Sequence, residues 1–184
     1  MNILLHLQHA SPNRRSHSKL GSGQLGRRMP RSGARTCRAI PDVDRLFVDT
    51  NVLVYATNEL SPWHGAANAT LQNARQLGSE LVVSTQVLRE YLSAATRESH
   101  AGRGIPVPDI LENLHTFQRE FTVVEDTRPV LAALENLLQN FSVAGKQVHD
   151  ANIVATMQLH GIRHLLTNNG EDFARFSQLI TTVP

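Results

Sequence analysis

Cysteine is almost missing from these 184 residues. Cys37 stands alone, which excludes an internal disulfide framework and fits a reducing, cytoplasmic setting. Aromatic residues are only 5% of the chain against 41% hydrophobic residues overall, a balance that fits a soluble globular protein. No apolar run approaches the roughly 20 residues that a membrane-spanning helix needs, so no membrane partner is expected. Internal repeats are absent as well. The nine histidines are scattered, with no metal-type pair beside a cysteine, which argues against zinc. His160 and His164 are four apart, but the break at Gly161 keeps them off one helix face.

Basic charge is scarce where the apolar residues are dense. Residues 1–45 carry nine Lys or Arg against Asp42 and Asp44, whereas residues 46–184 carry nine basic against fourteen acidic side chains. The net charge of +2 therefore hides two segments of opposite sign. Residues 1–44 are rich in Arg, Ser and Gly and lack hydrophobic periodicity after "MNILLHL". They are expected to form a disordered extension, because they bury too little apolar area to offset ordering entropy. A dispensable extension, an arm touching nucleic acid and a transit peptide all remain open for them. A domain of 140 residues, 45–184, follows.

In that domain strands and helices alternate. "RLFV" reads as a buried strand ending at Asp49, followed by a short helix over 51–57. Ser61 as cap, Pro62 at the first helical position and Gly78 as terminator mark the next helix. "ELVVS" is a second strand, and "TQVLREYLSAATRES" a helix with Val87, Leu88, Tyr91, Leu92 and Ala95 on one face. A loop with Gly102, Gly104, Pro106 and Pro108 leads to a helix over about 109–119 and the strand "FTVVED". Thr127 is expected to cap the helix "RPVLAALENLLQNF". "QVHDANIVATMQLHG" is a further helix, "RHLLT" a fourth strand, "EDFARF" a helical turn and "LITTV" a last strand. The alternation predicts an α/β fold with a mostly parallel sheet of four to five strands and helices on both faces.

Most acids of the domain fall on solvent faces, but four do not. Asp49 ends the first strand between two apolar runs, and Glu90 sits among Leu88, Tyr91 and Leu92. Asp150 precedes the apolar "ANIVATM", and Asp172 follows the fourth strand in "TNNGEDF". All four belong to the carboxyl end of the sheet, where ligands bind in such folds. Taken singly, Asp150 and Asp172 also fit as helix-start charges. Taken together, clustered carboxylates repel one another and stay ionised at neutral pH only if a cation shares their site. An all-oxygen set suits Mg²⁺ or Mn²⁺, ions that promote phosphodiester hydrolysis.

"FVDTNVLVYA", Glu90 in "QVLREYL", "HDANIVATM" and "LLTNNGEDFARF", in this order and spacing, resemble the PIN-domain ribonucleases, and most closely the VapC-type toxins of bacterial toxin–antitoxin pairs. The resemblance covers residues 45–184. It implies a three-layer α/β/α fold and a Mg²⁺- or Mn²⁺-dependent endoribonuclease. Asp49, Glu90 and Asp150 match the three central acids, and Asp172 is carried as the fourth. Many relatives have an acid where this chain has Asn169, which would weaken a second metal. Thr50 and Asn51 are expected to orient Asp49, with Thr167 and Asn169 beside the site; Lys146 and His149 are candidates for the RNA phosphate. The resemblance also implies a homodimer and inhibition by a cognate antitoxin. Two other classes remain: a PIN-fold binding module without catalysis, and a phosphatase-like Mg²⁺ hydrolase, against which "DTN" lacks the second acid of a DxD loop.

Overall fold

The structure is a computed structural model that describes residues 44–184. The expectations for the basic segment 1–44 lie outside the described residues, apart from Asp44. The strands are β1 (Arg45–Val48), β2 (Glu80–Ser84), β3 (Thr122–Val124), β4 (His164–Leu166) and β5 (Thr181–Val183). The helices are α1 (Thr50–Thr57), α2 (His64–Gln76), α3 (Thr85–His100), α4 (Val107–Glu120), α5 (Arg128–Asn140) and α6 (Gln147–Leu159), with a 3-10 turn at Ala174–Phe176. All five strands pair in parallel, in the order β3-β2-β1-β4-β5.

β1 lies at the centre, and Leu46, Phe47 and Val48 are fully buried. A strand covered on both faces reads as a continuous apolar run instead of an alternating one, and this explains "LFV". Helix α1 contacts α2 and α3, α3 contacts α4, and α5 packs on α6. The chain steps one way along the sheet from β1 to β3, then the other way from β3 to β5. Right-handed crossovers running in opposite directions put the two helix groups on opposite faces, which gives three α/β/α layers. Edge-to-face ring contacts from Tyr91 to Phe117 (5.1 Å) and Phe117 to Phe121 (5.6 Å) lock α3 to α4. Among the described residues, no helix is long and apolar enough to cross a membrane.

Two helix starts and one cap differ from the expectation. Helix α2 begins at His64, not at Ser61–Pro62, and its N-cap Trp63 makes no side-chain cap bond. The Ser61 hydroxyl instead accepts from the Trp63 N–H (3.2 Å), closing a turn just ahead of the helix. Thr127 stands at the N-cap of α5, but its side chain does not cap. Helix α4 starts two residues early, at Val107, since Pro108 is tolerated in a first turn whose N–H groups have no helical partner. Gly78 and Gly161 end α2 and α6 with φ of 87° and 66°, as expected of terminators in the left-handed region.

Chain direction along the sheet reverses between β1 and β4. In open parallel sheets a crevice forms at such a switch point, outside the carboxyl ends of the strands. Asp49 follows β1 and Thr167 follows β4, so both stand at its floor.

Candidate active site

Asp49 is the N-cap of α1 and is only 7% exposed. Its Oδ1 accepts from the Thr50 N–H (2.6 Å), and its Oδ2 from Asn51 Nδ2 (2.6 Å) and Thr167 Oγ1 (2.7 Å). The Asp49 N–H itself donates to the Leu166 carbonyl (3.0 Å), continuing the β1–β4 pairing by one residue. Asn51 completes the bracket: its Oδ1 accepts from the Asn168 N–H (3.2 Å), and its Nδ2 also reaches Thr167 Oγ1 (3.1 Å). The Asn169 N–H in turn donates to Thr167 Oγ1 (3.0 Å). Thr50, Asn51 and Thr167 thus bond the Asp49 carboxylate directly, and Asn169 bonds Thr167.

Glu90 arrives from α3. Its Oε2 accepts from Thr50 Oγ1 (3.0 Å), which ties it to the α1 N-terminus beside Asp49. Its Oε1 accepts from Gln86 Nε2 (2.8 Å) and lies 3.4 Å from His149 Nδ1. Gln86 is a residue that sequence reasoning missed. It is 5% exposed, donates also to the His149 carbonyl (3.0 Å), and accepts from Asn152 Nδ2 (2.6 Å). One buried amide therefore links Glu90 on α3 to α6. Its i, i+4 relation to Glu90 was the available signal.

Asp150 lies in the first turn of α6, half-buried, and its carboxylate accepts no hydrogen bond among the described residues. It does not cap α6, whose N-cap is Lys146. Asp172 is exposed, and its Oδ2 accepts from Asn169 Nδ2 (2.7 Å). Asp49, Asp150 and Asp172 line one cleft of about 320 Å³ together with Thr50, Asn51 and Asn169. Arg97 on α3 lines it too, and sequence reasoning had passed over it.

Electrostatics joins the four acids. Burial, then the charges of Glu90 and Asp172, push the Asp49 carboxyl up to about 6 against the lowering effect of its bonds to Thr167 and Thr50. Burial likewise pushes Asp150 up to about 6, reinforced by Asp172, Asp49 and Glu90 and opposed by Arg175. Arg175 is held by the Ser142 carbonyl (2.8 Å) and by Gln147 Oε1 (2.5 Å). Neighbouring carboxylates thus raise both Asp49 and Asp150, the condition that a divalent cation relieves. The donor set is all oxygen, as Mg²⁺ or Mn²⁺ prefers. Among the described residues, no three His, Cys, Asp or Glu side chains form a ready-made cation cage.

A PIN domain profile matches residues 46–179, the span that contains all four acids. The chain belongs to the PIN domain family. It is 29% identical over 133 residues to Ribonuclease VapC24 of Mycobacterium tuberculosis, covering 71% of this chain and 90% of that protein. Among solved structures it is similar to VapC20 of M. tuberculosis, a sarcin–ricin loop-cleaving toxin, with a TM-score of 0.60 and 18% identity over 76% of this chain and 99% of that one. A second is VapBC2 of Rickettsia felis bound to a DNA fragment from its promoter, with a TM-score of 0.56 and 18% identity over 75% and 98%. At these identities the structural likeness speaks for the PIN fold, and the profile and the VapC24 relative speak for the family.

Proposed function

We propose that this PIN domain is a Mg²⁺- or Mn²⁺-dependent endoribonuclease and the toxin of a VapBC-type pair. It would act in the cytoplasm as a homodimer and be held in check by a cognate antitoxin. The observation that carries the reading is the convergence of Asp49, Glu90, Asp150 and Asp172 from four chain segments on the β1–β4 switch point, with Asp49 and Asp150 both pushed up to about 6. The VapC24 relative supports the ribonuclease reading, and the toxin–antitoxin assemblies among the structural neighbours support the antitoxin.

A bound Mg²⁺ or Mn²⁺ would acidify water and offset charge on the phosphoryl group. Asp49, Glu90, Asp150 and Asp172 are the residues that would hold it. The chain's own contribution is orientation. Thr50, Asn51 and Thr167 fix both Asp49 oxygens, while Thr50 and Gln86 fix those of Glu90, so these two need no rearrangement when the substrate enters. Asp150, without a hydrogen bond of its own, keeps its oxygens free. His149 and Lys146, both exposed beside Asp150, can meet a phosphate from the α6 side.

The test is cleavage of RNA by wild type and by Asp49→Ala in Mg²⁺ or Mn²⁺ and in chelator. Cleavage by wild type alone, abolished by the chelator, is the expected result. Equal cleavage by the two proteins would overturn the assignment of Asp49.

A further inference from the structure

Building on the ribonuclease reading, we infer that Arg97 holds a phosphate of the RNA strand next to the one being cleaved. The cleft is lined by three carboxylates and by Arg97, its one basic lining residue among the described residues. A polyanion entering an acidic cleft needs positive charge beyond the reach of the acids, and the domain has little to give, with nine basic against fourteen acidic residues after position 45.

Arg97 lies in the last turn of α3, where positive charge also suits the helix C-terminus, yet no side-chain contact of the fold uses it. Its side chain is exposed and has no hydrogen bond or ion pair among the described residues, whereas Arg45, Arg75, Arg89 and Arg103 are each paired with a carboxylate. Nor does it serve as counter-charge to the site. The cation that lowers Asp150 is Arg175, and Arg97 has no part in the shift of either Asp49 or Asp150.

Spacing supplies the geometry. Glu90, Ala94 and Arg97 follow one another at four and three residues along α3, so they lie on one helix face. Seven residues of helical rise set Arg97 about 10 Å along the axis from Glu90, a separation that suits a phosphate beside the one at the acids. Ala94, small and between them, leaves the passage open. Tyr55 on α1 also lines the cleft, its hydroxyl without a partner among the described residues. A planar guanidinium presenting several N–H donors suits a phosphate held bidentately, which a lysine would not reproduce.

The full chain, with a fluorescein-labelled pool of random single-stranded RNA as probe, tests this by anisotropy and by steady-state cleavage in Mn²⁺. Arg97→Ala is expected to weaken RNA binding and raise KM about tenfold, the scale of one lost charge-assisted contact, while kcat stays within about twofold. The slope of log affinity against log salt should fall by about 0.7, the single-strand value for one phosphate. Arg97→Lys should recover part of the affinity and all of the slope. Wild-type affinity and salt slope in Arg97→Ala would overturn the inference. A fall in kcat with KM unchanged would do the same, since it would place Arg97 in the reaction instead. Binding of the pool by wild type without cleavage would remove the nuclease reading yet leave the phosphate contact measurable by anisotropy. Failure of wild type to bind the pool would overturn both.

Discussion

On the β1–β4 wall of the cleft, Asp49 is buried and four donors converge on its carboxylate and on the Thr167 hydroxyl beside it. On the loop beyond β4, Asp172 is exposed and its carboxylate takes one hydrogen bond among the described residues, from the Asn169 amide 2.7 Å away. The first acid is oriented before any cation or substrate arrives; the second is free to adjust. Burial explains the difference. An ionised group taken out of water must be compensated by hydrogen bonds, so the strand that delivers Asp49 also has to bring Thr50, Asn51 and Thr167 to it. An exposed acid carries no such requirement, and the chain around Asp172 supplies only one neighbour.

The largest effect that separates the two acids is a pH dependence of stability in chelator. The Asp49 carboxyl rises from an ordinary 3.8 to about 6 on folding, so between those values the folded state binds more protons than the unfolded one. Stability is therefore highest below pH 4, falls as pH rises toward 6, and levels off above it, by on the order of 3 kcal/mol for a shift of this size. Asp150 adds to the same slope by less, because it is half exposed and screened. Thermal melting in chelator should thus decline from pH 4 to 7. Saturating Mn²⁺ should raise the neutral-pH melting point, and Asp49→Asn should flatten much of the slope. A melting point that climbs over this range would contradict the burial of Asp49 as the dominant cause.

Next in size is Thr167→Val. It keeps the shape of a 2% exposed side chain but removes the donor to Asp49 and the acceptor for Asn51 and Asn169. Stability should drop by about 1–2 kcal/mol. Cleavage should fall about 10- to 100-fold, the usual cost of losing a group that orients a metal-site carboxylate. Chemical denaturation and initial rates measure the two. A stability loss without a rate loss would mean that Asp49 keeps its orientation from Thr50 and Asn51 alone.

These contrasts also explain what could be read in the sequence. β1 was legible because a central strand has no polar face to hide. The four acids stood out in the sequence because each follows a strand or sits near the start of a helix at the carboxyl end of the sheet. Ser61 and Pro62 misled because a Ser-Pro pair serves a turn as well as a helix start, and the choice was made by Trp63. Gln86 and Asn152 went unnoticed for another reason. An amide in an amphipathic helix looks like solvent-facing filler until the partner helix is placed against it, and α6 lies more than 60 residues on from Gln86. Arg97 had only the weak signal of a basic residue near a helix end, and its place in the cleft is visible only in the fold.

The smallest effect belongs to exposed Asp172, whose neighbour Asn169 is an amide and not an acid. Asn169→Asp replaces the amide donor to Asp172 by a second carboxylate, at a site open to water. Repulsion between exposed like charges is weak, so melting in chelator should change by less than about 0.5 kcal/mol, with the loss largest at low salt. The added charge instead acts on the cation: Mn²⁺ affinity by titration calorimetry should rise about threefold to tenfold, and the Mn²⁺ concentration for half-maximal cleavage should fall with it. A tighter ion without faster cleavage would place Asn169 beside a binding role alone. No change in affinity would remove residues 169–172 from the cation's surroundings, leaving Asp49, Glu90 and Asp150 to hold it.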